Sequence, residues 1–349
     1  MRCQMTRHEK KLKFGIVGCG MIGRIHAKAL FGLENAELVA VCDNSAKGAQ
    51  TIGTAFGAEA FTDYGEMLRS GIDAVCICTP SGLHEDLAVR AAQAGVNFIT
   101  EKPLALSVAS ADRVIAACKK YGVTGSVVSQ LRFSPDIIAV REAVAEGLIG
   151  KLFLVNLSMK YYRSKEYYAS SPWRGTWTLD GGGALMNQGI HGVDIMLHVC
   201  GACGEVSVTG GAVSNAVHKI ETEDTAVASM RFANGALGTL CASTAVVPAC
   251  NRLLSLHGDR GTIVLEEDTI KGWYIPDNDI TVSPVMESKH VTSYTPQLSS
   301  EAGHASQLSD FIDSIITGRS PAVTLEDGRR AVKLICDVYE AAGIYKNDR

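Results

Sequence analysis

The sequence predicts an α/β chain with two halves: a doubly wound parallel sheet, then a largely antiparallel sheet with one helix-rich face. Three observations carry this. The first 130 residues alternate short apolar runs with amphipathic stretches, the pattern of strands covered on both faces by helices. A glycine-rich turn, Gly18-Cys-Gly20-Met-Ile-Gly23, lies between the first apolar run and the first helical one. After Gly150 the alternation gives way to strand–turn–strand signals. The length of 349 residues agrees, since ordinary domain sizes make it about two domains.

Taken in order, strands are expected at Lys13–Gly18, Glu37–Cys42, Ala74–Cys78, Asn97–Thr100 and Val123–Ser129. Helices are expected at Met21–Leu30, Leu83–Ala94 and Val108–Lys120, where apolar residues recur at spacings of three and four. Gly95 and Gly122 stand where helix C-caps belong. Right-handed crossovers then wind the parallel sheet. In the second half a single long helix is expected over Gly183–Val199. Ala226–Phe232 and Ala236–Ser243 flank Asn234-Gly235, a strong hairpin signal, and Leu253–His257 and Thr262–Glu266 flank Gly258-Asp-Arg-Gly261 in the same way. Helices at Ala305–Thr317 and Glu326–Ala342 close the chain, and residues 275–300 read as loop.

Composition excludes several classes. With 46% hydrophobic residues and 35 glycines the chain is neither disordered nor collagen-like. A net charge of −4 without a long basic tract gives no footprint for nucleic acid. No run approaches the roughly 20 apolar residues that span a bilayer. The N-terminus is basic before an apolar stretch, but four glycines and an arginine interrupt Phe14–Ile25, so it reads as a frayed tail before a strand rather than a secretory signal. Eleven cysteines, an odd number scattered through apolar segments, read as reduced thiols of a cytoplasmic protein. Cys200-Gly-Ala-Cys203 lacks a second ligand pair and reads as structural, so no metal is expected there.

The glycine turn has the context that makes it informative. Gly18 permits a tight turn, Gly20 lets the backbone approach a pyrophosphate, and Gly23 lets the helix pack close to the strand. The helix start at Met21 and Ile22 would receive that pyrophosphate. Asp43 ends the second strand, where an acid accepts from a ribose 2′-hydroxyl and repels a 2′-phosphate. These residues point to NAD rather than NADP. Thr79-Pro80 and His84 follow the strand Ala74–Cys78 at the same sheet edge; the histidine reads either as lining the cofactor site or as a partly buried first-turn residue. Glu101-Lys102-Pro103 ends the strand Asn97–Thr100, placing Lys102 in the crevice, where a nicotinamide cation would depress its pKa. A surface lysine paired with Glu101 is the plainer alternative.

The richest segment runs from Gly181 to Asp194. On the expected helix, Asn187, His191, Asp194 and His198 fall on one face. A polar stripe on an apolar helix is costly to bury without partners. His191 is the natural general base, with Asp194 one turn on to hold its ring. A structural Asp194–His198 pair competes with that reading, and a metal site is weaker, because ligands on one straight helix seldom converge. Tyr161, Tyr162, Arg163, Trp173 and Arg174 lie just upstream, aromatic faces and cations suited to a sugar and to an acidic group.

Together the motifs GCGMIG, TPSGLH, EKP, Arg132-Phe-Ser-Pro135, GGGALMNQGIHGVD and Gly318–Asp327 resemble the Gfo/Idh/MocA family of glucose–fructose oxidoreductase- and inositol dehydrogenase-like enzymes, over nearly the whole chain. The resemblance implies a Rossmann domain over 1–132 and, over 133–349, a substrate-binding α/β domain whose large open sheet makes dimers or tetramers. It implies hydride transfer between NAD(H) and sugars, inositols or nucleotide sugars. It makes Lys102 and His191 the catalytic pair, with Glu101 beside the cofactor and Arg163, Trp173, Arg174 and Asn187 toward substrate. Inositol-dehydrogenase-like members carry an aspartate four residues before the histidine, where this chain has Asn187. An amide cannot accept a proton, so that relay is incomplete here. The family also contains NAD-dependent glycosidases and non-catalytic sensors, which stand as alternatives.

Overall fold

The computed structural model describes residues 11–276 and 299–344. The tail before residue 11 and most of the expected 275–300 loop lie outside the described residues. The apolar run Phe14–Val17 is buried throughout, as a central parallel strand must be. It forms β1 (Leu12–Val17), flanked by β2 (Ala36–Cys42), β3 (Glu59–Phe61), β4 (Ala74–Ile77), β5 (Asn97–Thr100) and β6 (Gly125–Val127). All pairings in this sheet are parallel, and the order is β3-β2-β1-β4-β5-β6, the Rossmann order.

The crossover helices are α1 (Met21–Phe31), α2 (Ala46–Phe56), α3 (Tyr64–Arg69), α4 (His84–Gln93) and α5 (Val108–Tyr121). Ser45, Asp63 and Ser107 cap α2, α3 and α5 through side-chain oxygens. Gly95 and Gly122 end α4 and α5 at φ +73° and +67°, as their placement predicts. The three-residue β3 and the short α3 carry too little periodicity to be seen in the sequence.

The second sheet contains β7 (Leu152–Lys160), β8 (Val206–Ser214), β9 (Thr225–Phe232), β10 (Leu237–Ser243), β11 (Leu253–Gly258), β12 (Gly261–Glu266) and β13 (Thr269–Tyr274). Its order is β13-β12-β11-β7-β10-β9-β8, antiparallel except where β7 and β10 run parallel. Both expected hairpins form, β9–β10 around Gly235 (φ +91°) and β11–β12 with Gly258 paired to Gly261. The short α7 (Lys165–Ala169) follows β7, and one face of the sheet is covered by α6 (Pro135–Ala145), α8 (Ile190–Val199) and α10 (Leu325–Ala341), whose Val140, Val193 and Val338 are fully buried.

Two helices tie the halves together. α9 (Ser299–Thr317) follows the second sheet in the chain, yet its Leu308, Phe311 and Ile312 join the core of Phe14 and Ile16 in the first. The capping box of Thr324 and Asp327 starts α10, which lays Leu325 into the first domain's core and Ile335 into the second's. The loops after β4 and β5 meet the segment around the glycine run before α8, Gly82 N–H reaching the Leu179 carbonyl and Lys102 Nζ the Asn187 carbonyl, with the ends of β1 and β2 on the same sheet edge beside this cleft.

Candidate active site

On the first domain's side the site is made of main chain. Gly18 turns at φ +94°, and a Cβ there would lie 2.5 Å from the Cys78 carbonyl oxygen. A Cβ at Gly23 would lie 2.0 Å from the Gly18 carbonyl oxygen, so only glycine lets α1 approach its turn this closely. Gly20 differs, because a Cβ there meets nothing within 4 Å. This glycine faces open space at the uncapped N-terminus of α1, where Met21, Ile22 and Gly23 offer N–H groups without intrahelical partners. Room and donors together fit a pyrophosphate. Asp43 accepts from the Cys19 N–H at 2.7 Å and the Ser45 N–H at 2.8 Å, which fixes its carboxylate beside the turn.

The Thr79-Pro80 turn and Lys102 share this sheet edge. His84 is almost fully buried, its ring nitrogens against the Pro103 carbonyl (2.7 Å) and the Thr79 carbonyl (3.0 Å). It props the two loops against each other. Glu101 is likewise spent inside the fold, with Oε1 2.9 Å from His26 Nε2 and 3.6 Å from His304 Nε2. Burial pushes the Glu101 carboxyl up, but the hydrogen bonds from His26 and His304 outweigh it and hold it well below the usual range. These three residues are the group among the described residues whose ligand-type atoms all lie within 4.8 Å of one another, and they come from the end of β5, α1 and α9 rather than from the α8 stripe.

Lys102 follows, with Nζ donating to the Asn187 carbonyl at 3.0 Å and so crossing the cleft. Burial lowers its pKa; Glu101 and Asp180 raise it, and Arg163 and Arg174 lower it further. Lys102 and His191 line one small cavity of about 20 Å³ together with Ile190 and Ser129, room for about one water. Burial and then the Lys102 and Arg252 charges push the His191 pKa well down, so the imidazole is neutral at neutral pH.

The segment before α8 corrects the sequence reading. Residues Ala184–Gly189 form a π-helical turn, and the regular helix begins only at Ile190. The glycines before it sit in close contacts that only glycine allows. A Cβ at Gly182 would overlap the Tyr339 hydroxyl at 2.1 Å, and one at Gly183 the Glu223 carbonyl at 2.0 Å. Buried Glu223 then caps the turn, accepting from the N–H groups of Gly183 and Leu185. The wider turn breaks the even spacing, so Asn187 leaves the expected common face. Its Nδ2 instead donates to Asp180 Oδ1 at 2.6 Å. Asp194 also departs from expectation, since it holds neither the His191 ring nor His198. Its carboxylate is taken by Ser129 and, bidentately, by Arg132 (2.9 and 2.5 Å), and it locks the domain junction.

The upstream aromatics and arginines do assemble. Arg163 donates to Gln188 Oε1 at 2.7 Å and to the Tyr162 carbonyl, while Gln188 Nε2 donates to the Tyr167 hydroxyl. Arg174 lies 4.1 Å from the Tyr167 ring centroid and 4.9 Å from that of Trp173. Sequence reasoning missed Tyr167, Asp180, Gln188 and Glu223. Asp180 and Gln188 flank the glycine run and the histidine helix, the one signal that pointed to them.

Comparison with known proteins agrees with this architecture. Residues 12–129 match the model of an oxidoreductase family with an NAD-binding Rossmann fold, GFO_IDH_MocA, and residues 137–264 match the GFO/IDH/MocA C-terminal domain. The chain is 30% identical to inositol 2-dehydrogenase of Rhizobium meliloti over 331 residues, 93% of this chain and 94% of that one. It is 31% identical to D-apiose dehydrogenase of Paraburkholderia graminis over 269 residues, 75% and 70% of the two chains. The WlbA dehydrogenase of Bordetella pertussis, solved with NADH and UDP-GlcNAcA, superposes with a TM-score of 0.85 at 29% identity, covering 96% of this chain and 97% of that one. With both family domains matched in order, this chain belongs to the Gfo/Idh/MocA family of NAD-dependent oxidoreductases.

Proposed function

We propose that this dehydrogenase moves hydride between NAD and a carbinol carbon of a sugar, sugar acid, inositol or nucleotide sugar. The glycine turn, Met21 and Ile22 would hold the pyrophosphate and Asp43 the ribose, with Thr79 and Pro80 beside them at the sheet edge. The bound nicotinamide supplies the hydride acceptor. His191, neutral and at the cleft, takes the hydroxyl proton on an imidazole nitrogen. Lys102 donates a hydrogen bond to the same oxygen and stabilises the charge that develops there. Asn187 binds a neighbouring hydroxyl, and Arg163, Trp173 and Arg174 wall the substrate side. The observation that carries this reading is the shared cavity of Lys102 and His191, residues of different domains.

The relatives named for inositol and apiose, and the neighbour holding UDP-GlcNAcA, support the substrate range. Absorbance at 340 nm with NAD and a panel of inositols, hexoses, uronic acids and nucleotide sugars tests it: a rise with one class identifies the substrate. Glycoside cleavage without net NADH would point to the redox-assisted glycosidase instead, and tight NAD binding without turnover to a sensor.

The exposed face of the second sheet, with Val227 46%, Leu237 48% and Leu253 40% exposed, supports a homo-oligomer through that face. Light scattering would read its size. No helix among the described residues is long and apolar enough to cross a membrane, and the cysteines among them form no disulfide, which suits a reducing cytoplasm.

A further inference from the structure

We propose that Asp180 is a positioning residue of this site: it orients the Asn187 carboxamide and supplies the negative charge that faces Lys102. The geometry begins with burial. Asp180 is 1% exposed, and its carboxylate accepts two N–H donors, Gly175 N–H on Oδ2 at 2.8 Å and Asn187 Nδ2 on Oδ1 at 2.6 Å. A turn closed by its own N–H to the Thr176 carbonyl at 3.1 Å holds it in place. The first domain braces the same turn, because Gly82 N–H donates to the Leu179 carbonyl at 2.8 Å.

Two consequences follow. With Nδ2 committed to a carboxylate, the Asn187 amide can have only one orientation, and its Oδ1 is left as an acceptor. Asn187 thus offers an acceptor oxygen, as a carboxylate at that position would, while the charge sits one residue further out, on Asp180. Second, Asn187 couples the two charged groups, since its carbonyl receives Lys102 Nζ while its side chain donates to Asp180. The charges that act most on Lys102 are Glu101 and Asp180, which favour the ammonium, and Arg163 and Arg174, which oppose it; His191 and His84, whose pKa values burial lowers, face it as neutral rings at neutral pH. Glu101 is engaged by His26 and His304, so Asp180 is the carboxylate on the substrate-domain side that offsets the two arginines. Burial raises the Asp180 carboxyl, and the Gly175 and Asn187 hydrogen bonds with the Lys102 and Arg174 charges oppose that rise.

The proposed role in turnover rests on the dehydrogenase reading, whereas the charge coupling does not, so the test reads the coupling directly. In NAD-loaded protein with carbon-13 at lysine Cε, the Lys102 signal, assigned by its loss in Lys102→Met, is titrated in wild type and in Asp180→Asn. The account expects the Lys102 pKa to fall by about one unit in Asp180→Asn. The exchange Asp180→Asn/Asn187→Asp, which returns a carboxylate to the pair, is expected to restore it. An unmoved Lys102 titration overturns the proposal, whatever the turnover. Should Asp180→Asn fail to fold, linkage supplies a reciprocal measurement: Lys102→Met must raise the Asp180 carboxyl pKa, and no change there overturns the proposal equally. With an active substrate in hand, the lysine limb of the kcat pH profile moves down with the Lys102 pKa while NAD affinity holds. A shifted titration beside a flat substrate panel would count against the dehydrogenase reading and leave this coupling supported.

Discussion

The two walls of the cleft present different atoms. On the Rossmann side they are main-chain N–H groups at the start of α1, and side chains matter mostly by being absent, at Gly18, Gly20 and Gly23. On the other side they are side chains from separate stretches: Arg163 donates to Gln188, Asn187 to Asp180, and Arg174 stacks on Tyr167 and Trp173, with His191 beside them. A surface made of main chain is fixed once its strand and helix form. One made of side chains depends on every partner that turns them.

Breaking a charged tie on the second side should have the largest effect on stability. In Asp194→Asn, Arg132 stays buried with only Asp327, 3.2 Å away, as a charged partner. The expected cost is about 3 kcal/mol, since removing one member of a buried pair strands the other. Urea denaturation measures it, and a loss under about 1 kcal/mol would show that the junction does not depend on the pair.

On the first side the same comparison is sharpened by two neighbouring glycines. Gly23→Ala forces a methyl onto the Gly18 carbonyl, so both stability, by about 1–3 kcal/mol, and NAD affinity should fall. Gly20→Ala adds a methyl where nothing lies within 4 Å, so Tm should hold while NAD affinity falls. Equal effects of the two on Tm would contradict the assignment of the open space to the cofactor.

Acid separates the sides more gently. Burial holds His26, His84 and His191 below the usual histidine range and His198 at about 4. Below about pH 6.5 the unfolded chain takes up protons there that the folded chain refuses. Stability is therefore full above that pH and declines as pH falls toward 4, by up to about 1.4 kcal/mol per group for each pKa unit of depression. A melting temperature that stayed flat from pH 7 to 5 would contradict the neutral imidazoles. The smallest expected change is in Asp43→Asn, which should shift preference toward NADP by about tenfold, or about 1.4 kcal/mol, read from paired NAD and NADP affinities.

What the sequence disclosed follows the same division. The strand, glycine turn, helix and Asp43 are local in the chain and have fixed spacings, so both the first sheet and its cofactor edge were legible. The two hairpins were legible for the same reason, through Gly235 and the Gly258–Gly261 turn. Glu223 acts on the turn before α8 from far along the chain, with nothing in its own neighbourhood to mark it, and Asp180 is marked only by its place before the glycine run. The π-helical turn at Ala184–Gly189 was invisible because the groups packed around its start, the Tyr339 hydroxyl against Gly182 and Glu223 on the Gly183 and Leu185 N–H groups, come from distant parts of the chain. Assuming an even helical spacing there put Asn187 and Asp194 on one face, when each had a partner elsewhere.

The central claim is that Lys102 serves the reaction at the oxygen while the glycine turn and Asp43 hold the cofactor. Wild type and Lys102→Met, assayed side by side at 340 nm with NAD and the polyol panel and with NAD affinity measured for both, test it most directly. The account predicts NADH formation by wild type with one substrate class, a loss of about a hundredfold or more in kcat for the variant, and nearly equal NAD affinities. A variant that turns over at the wild-type rate would contradict it.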